Sequence, residues 1–132
     1  MNIIFSLLAG YLIGSVPTAY LVGKLVKGID IRQHGSGNVG ATNVFRVVGK
    51  KWGISVLLFD MFKGFTTAFW VWHLTGSVSN SAFIASLLAG AAAIAGHTWT
   101  PWLGFRGGKG VATSLGVLIA ITPEAAGIGM LI

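Results

Sequence analysis

Apolar residues run in long blocks along this chain and are interrupted by two polar islands. The first block, residues 2–23, is long enough for a helix across the ~30 Å hydrocarbon layer, which takes ~20 residues. Residues 51–72 form a second such block, with Trp52 at one edge and Trp70 and Trp72 at the other, the depth at which indole rings settle in a bilayer. A third, shorter block covers 82–96. A fourth ends at residue 121 and reaches a useful length only if its helix begins near Gly107, giving 107–121. Thr122-Pro123-Glu124 then reads as an N-cap, a proline at the first helical position and an acidic first turn. A partial helix is expected over 123–132, and its roughly three turns are too few to cross. The blocks predict an all-α fold: a polytopic transmembrane helix bundle with glycine-rich loops, forming a single membrane-embedded domain over 1–132. With no polar tail after the last block, the domain is expected to be incomplete at its C-terminus.

Small residues predict how these helices meet. Gly10 and Gly14 form a GxxxG pair, and Ala82, Ser86 and Gly90 recur at the same spacing, as do Ala85, Ala89 and Ala93. Such residues let helix backbones approach closely in lipid. Pro17 interrupts the first block, removes a helix hydrogen bond and frees a carbonyl that needs a new donor, such as a neighbouring hydroxyl.

Composition agrees with a membrane reading. Hydrophobic residues make up 54% of the 132 and charged ones 9%, with mean hydropathy +0.79. Soluble domains carry about 25% charged residues. The net charge of +6 is therefore read as loop charge at a membrane surface, with no nucleic-acid partner implied. The first basic residue is Lys24, after the first block, which puts the N-terminus outside and both polar islands in the cytoplasm. There is no cysteine, so disulfides, thiolate metal sites and a cysteine nucleophile are excluded. Carboxylates are scarce and the histidines far apart, so neither a metal site nor another cofactor is implied.

The first island, residues 31–46, interleaves Gly35, Gly37 and Gly40 with Ser36, Asn38, Thr42 and Asn43, between Arg32 and Arg46. Glycines let main-chain N–H groups turn toward an anion, and guanidinium forks suit phosphate. A flexible solvated connection has the same composition. The second island, residues 96–114, contains His97 and Arg106-Gly107-Gly108-Lys109-Gly110, a second candidate phosphate cradle with N–H groups between two cations. Its spacing is not that of a P-loop, because Lys109 is followed by Gly110. His97 is open to three roles: general base, hydrogen-bond partner of phosphate, or interfacial packing; no carboxylate lies near it in sequence. Asp60 and Lys63 share a helical face inside the second block, where charge is costly unless paired or wet. A structural pair suits Asp60, and a substrate-facing role is open to Lys63.

Together, GSGNVGATNVFR and GHTWTPWLGFRGGKGVAT resemble the bacterial acyl-phosphate-dependent glycerol-3-phosphate acyltransferase family of integral membrane enzymes. The resemblance runs from Gly14-Ser15-Val16-Pro17 to Thr113 and includes residues 60–64. It implies transfer of a fatty acyl group from acyl phosphate to the 1-hydroxyl of sn-glycerol 3-phosphate, giving lysophosphatidic acid and phosphate in the bacterial cytoplasmic membrane. It also implies an essential serine and arginine at Ser36 and Arg46, and glycerol 3-phosphate binding at Gly107, Gly108 and Lys109. A third cytoplasmic motif is expected beyond residue 132. Ser36, Arg46 and Lys109 are thus the expected catalytic residues. Gly37, Asn38, Gly40, Thr42, Asn43, Lys63, His97, Gly107 and Gly108 are the expected substrate-binding ones. The acyl chain is expected between helices, against walls such as Leu12, Ile13 or Leu58. Direct attack by the glycerol hydroxyl is preferred to an acyl-serine, since only His34 lies close enough in sequence to activate Ser36. An organic-phosphate transporter, or a scaffold binding anionic lipid, is the alternative; neither oligomeric state nor chain-length preference is legible.

Overall fold

The computed structural model describes residues 3–74, 80–124 and 127. Among them all regular structure is helical: α1 (Ile3–Gly14), α2 (Thr18–Lys27), α3 (Ala41–Val47), α4 (Lys50–Leu74), α5 (Asn80–Thr98) and α6 (Val111–Ile121), with single 3₁₀ turns at Ile31–Gln33 and Pro101–Leu103. Among the described residues three stretches are long and apolar enough to cross a membrane: Ile3–Lys27, Lys50–Leu74 and Asn80–Leu103. Most of the partial helix expected over 123–132 lies outside the described residues.

The bundle is inside-out relative to a soluble one. Along the long helices its interior is mostly small or polar, with Ala85, Ala89, Ala93, Ser86 and Thr113 buried, while Phe5, Leu8, Phe59, Phe62 and Trp70 face outward; larger apolar side chains (Ile31, Val44, Val56, Leu103) are buried together in a separate cluster. Large side chains outward and small ones inward is what lipid solvent selects, because close backbone packing, not water exclusion, joins the helices. The main contacts are α1 on α5, and α4 on α5 and α6. At the α1–α5 crossing a Cβ on Gly14 would strike the Ala93 backbone, and one on Gly96 the Tyr11 carbonyl. The α4–α6 crossing repeats this, with Gly64 against the Thr113 carbonyl and Gly116 against that of Met61.

Two helix boundaries differ from expectation. The first block, expected over 2–23, is broken: α1 stops at Gly14, and α2 restarts at Thr18 and runs on to Lys27. At the break the Ser15 hydroxyl donates to the Leu12 carbonyl (2.8 Å), the Thr100 hydroxyl to that of Ser15 (2.6 Å) and the Lys63 ammonium to that of Val16 (2.9 Å). Side chains from the second and third long helical stretches thus replace backbone donors, which is how membrane helices tolerate interruption. The last helix begins at Val111, not near Gly107, because the N–H groups of Gly107 and Gly108 bond back to α5 carbonyls. With 11 residues it is about 16 Å long, well short of the hydrocarbon thickness.

Candidate active site

Both polar islands lie at one end of the bundle. The first follows α2, and its single 3₁₀ turn is capped by Asp30, whose Oδ1 accepts the Arg32 N–H at 3.0 Å. The same carboxylate holds the Arg32 guanidinium, Nη2 to Oδ2 at 2.7 Å. Arg32, read from sequence as one of two phosphate forks, therefore already has a carboxylate partner. Its fork holds the Asp30 carboxyl down at about 2. The pair is fully present above the ordinary carboxylate range, and its contribution is lost only as pH falls from about 4 through about 2.

Gly35 and Gly37 follow with φ of 57° and 71°, a left-handed turn that side chains rarely adopt. The turn is pinned by Asn43. Its Nδ2 donates to the carbonyls of Ile31 (3.2 Å), His34 (2.9 Å) and Asn38 (3.1 Å), and its Oδ1 accepts the Ser36 N–H (3.1 Å). Asn43 is 1% exposed and commits both ends of its amide to the loop backbone, so it staples the loop. Asn43→Leu leaves these backbone groups unmatched and is expected to cost the loop about 3 kcal/mol or more. Hydrogen exchange should report it as faster exchange across residues 31–40, with the α4 amides unchanged.

The second island runs back along α5. The Gly107 N–H donates to the Thr98 carbonyl (2.8 Å) and that of Gly108 to the His97 carbonyl (3.2 Å), so neither is free to cradle an anion as expected. Their role is close approach. A side chain on Gly107 would strike the His97 carbonyl, and one on Gly108 would meet the His97 ring and the Val39 carbonyl. The two islands therefore touch at Val39 and Gly108.

That contact separates two clefts. One, of about 240 Å³, takes Asn38, Gly40 and Thr42 from the first island, Asp60 from α4, His97 from α5 and Lys109 from the second island. The start of α6 (Gly110, Val111, Ala112) completes its wall. No side chain caps that helix, so the N–H groups of its first turn have no intrahelical acceptor, a disposition that suits an anion. The other cleft, about 410 Å³, lies between Arg32 and Arg106, with Gly37 and Gly107 in its wall.

Ser36 and Arg46 line neither cleft. Ser36 is exposed, and its Oγ accepts the Asn38 N–H at 3.4 Å. Arg46 is exposed in the last turn of α3, one helical turn beyond Thr42 and on the same face, without an ion pair among the described residues.

The buried charges form the pair that suits Asp60. Lys63, open from sequence to a substrate-facing role, is 7% exposed and reaches the Val16 carbonyl and Asp60 Oδ1, each at 2.9 Å. Asp60 reaches the cleft wall as well. Its Oδ1 also accepts the Thr18 hydroxyl (3.1 Å) and lies 3.7 Å from His97 Nδ1. The carboxylate missing from the neighbourhood of His97 in sequence is thus supplied from α4. The only local sign of it was the shared face of Asp60 and Lys63.

A family model described as glycerol-3-phosphate acyltransferase matches residues 4–132. A protein of Chlorobaculum tepidum named glycerol-3-phosphate acyltransferase is 50% identical over 123 residues, covering 89% of this chain and 53% of that one. One of the same name from Staphylococcus haemolyticus is 48% identical over 127 residues, covering 93% and 62%. The crystal structure of PlsY, an integral membrane glycerol 3-phosphate acyltransferase in its glycerol 3-phosphate form, superposes with a TM-score of 0.87 at 42% identity. That superposition covers 98% of this chain and 62% of that one. The chain thus spans somewhat over half the length of these relatives.

Proposed function

The chain belongs to the glycerol-3-phosphate acyltransferase family, and from that premise we propose that it transfers a fatty acyl group from acyl phosphate to the 1-hydroxyl of sn-glycerol 3-phosphate. The products are lysophosphatidic acid and inorganic phosphate, made at the cytoplasmic face of a bacterial inner membrane. The observation that carries this reading is the smaller cleft, where Asn38 and Thr42 of one glycine-rich segment face Lys109 of the other.

An acyl phosphate is a mixed anhydride with a good leaving group, so the protein's task is to align two phosphate-bearing reactants and steady a developing oxyanion. Alignment of this kind contributes about 7–11 kcal/mol. Lys109 neutralises phosphate charge, and the uncapped first turn of α6 adds backbone donors. Arg46 approaches from the face of α3 that carries Thr42. Gly37, Gly107 and Gly108 serve by having no side chain where the segments bend and cross.

Attack is direct. The Ser36 Oγ meets the Asn38 N–H and, among the described residues, no base that could make it a nucleophile. An apolar groove of about 300 Å³ shares Ala41, Thr42 and Leu57 with the cleft and continues past Phe45 and Ile54. This groove, not the walls at Leu12, Ile13 or Leu58, suits the acyl chain. Leu57→Trp would fill it and is expected to remove contact with about three methylenes, near 2 kcal/mol, or about thirtyfold in kcat/KM for palmitoyl phosphate. Octanoyl phosphate should be affected much less.

The deciding experiment supplies acyl phosphate and glycerol 3-phosphate to the purified full-length protein in a bilayer. Formation of lysophosphatidic acid and phosphate supports the reading. Glycerol 3-phosphate uptake without acylation, or anionic-lipid binding alone, contradicts it.

A further inference from the structure

We propose that the recess beside the helix break binds one anionic diacyl phospholipid of the bilayer. Its chain lies along the groove between the α1–α2 junction and the Pro101–Leu103 turn, and its phosphate rests against Lys24 and Arg32. The site is separate from the candidate active site, and its occupancy does not depend on the transferase reading.

The groove, of about 370 Å³, has Leu12, Val16, Pro17 and Leu21 on one side and Trp102 and Leu103 on the other. It opens where α1 gives way to α2, and the bonds that hold the break also fix its walls. The Trp102 indole N–H donates to the Ser15 hydroxyl at 3.0 Å, and the Thr100 hydroxyl to the Ser15 carbonyl at 2.6 Å. Trp102 nevertheless stays 65% exposed, as suits an indole ring at headgroup depth. The groove shares no residue with the smaller cleft or with the groove assigned to the acyl chain.

Tyr20 lines the same groove and joins its apolar wall to a basic rim. The Lys24 ammonium lies 5.9 Å from the centre of the Tyr20 ring, and the Arg32 guanidinium carbon 5.2 Å. Lys24 is one helical turn beyond Tyr20, toward the end of the bundle that carries the polar islands. It is exposed and makes no ion pair among the described residues. Arg32 gives Nε and Nη2 to Asp30 and keeps Nη1 without a partner among the described residues. Two cations against one carboxylate leave the rim net positive.

An apolar recess, then an aromatic ring, then cations is the order in which a phospholipid presents chain, interface and phosphate. Basic pockets beside membrane helices recognise anionic headgroups in this way. A zwitterionic lipid brings a cation of its own to the rim, and an apolar protein segment brings no charge to match it. Acyl transfer assigns no task to Tyr20, Lys24 or Trp102, so their grouping calls for another ligand.

The test is native mass spectrometry of the full-length protein, released from micelles holding equal amounts of phosphatidylglycerol and phosphatidylcholine with the same palmitoyl and oleoyl chains. The parent should retain one phosphatidylglycerol, preferred about tenfold, the preference that two cations near the headgroup allow. Lys24→Gln should lower that retention about fivefold, the loss expected for one such cation. Lys51→Gln, the same charge change on α4, should leave it unaltered. Leu12→Trp fills the groove from its exposed side and should lower retention about tenfold, the worth of about two methylenes. Phosphatidylglycerol carrying a diazirine on one chain should label the parent at the Pro101–Leu103 turn or near Leu12, which locates the lipid even if a variant fails to fold. Equal retention of the two lipids would overturn the proposal, and a groove filled by another segment of the full-length protein gives that result. Equal losses in Lys24→Gln and Lys51→Gln, or labelling only elsewhere, would overturn it too.

Discussion

Lys109→Met is expected to reduce acyl transfer by about two to three orders of magnitude, the loss that follows removal of one charged or oxyanion-directed donor from a preorganised site. Lys109 is exposed, lines the smaller cleft and makes no hydrogen bond or ion pair among the described residues. The fold therefore has no stake in its charge, and melting temperature and helix content should be unchanged. Arginine should rescue only part of the rate, since a planar fork does not reproduce a point charge at the same depth. Steady-state kinetics in both substrates would check this. A variant with parental kcat/KM would remove Lys109 from the site.

Gly14→Val is expected to do its damage elsewhere. The Cβ alone would occupy the position of the Ala93 backbone, and the reciprocal Gly96 already abuts the Tyr11 carbonyl and the Ser15 N–H. Ordinary overpacking costs about 1–3 kcal/mol because side chains shift. Here backbone meets backbone, so α1 must move off α5 as a unit. That movement also disturbs the Thr100–Ser15 and Trp102–Ser15 hydrogen bonds (2.6 and 3.0 Å) that hold the helix break. Loss of the folded species in detergent is the expected result, read by size-exclusion and thermal melting.

The long helices were legible because apolar length is a direct physical requirement of the bilayer, and the small-residue spacings of α1 and α5 marked the faces that meet. Pro17 announced a disturbance but not its size. The size depends on Lys63 and Thr100, which come from other helical stretches and are silent about Val16 and Ser15 until the chain is folded. The start of α6 was misplaced for a similar reason: Gly107 and Gly108 carry no local mark of being tied to α5. α2 extends past residue 23 because Gly28, at φ 66°, closes it and Lys27 reaches the Val47 carbonyl at 2.7 Å.

In the candidate site, residue type singled out the two segments that line the cleft but not the part each residue plays within them. Asn43 looks like any polar loop residue until its bonds to three carbonyls make it a staple. The approach of Asp60 to His97 joins α4 to α5, and periodicity within α4 marks only that Asp60 and Lys63 share a face, not which helix they meet.

The central claim is that the two glycine-rich segments enclose one cleft that receives the phosphate of glycerol 3-phosphate. Because the chain has no cysteine, a cysteine pair reports on that cleft without background. Ala41→Cys and Ala112→Cys face it from α3 and from the start of α6. A short bismaleimide should link them in the full-length protein, and glycerol 3-phosphate should slow the reaction in a saturable way. No link, or a link whose rate ignores glycerol 3-phosphate, would contradict the account.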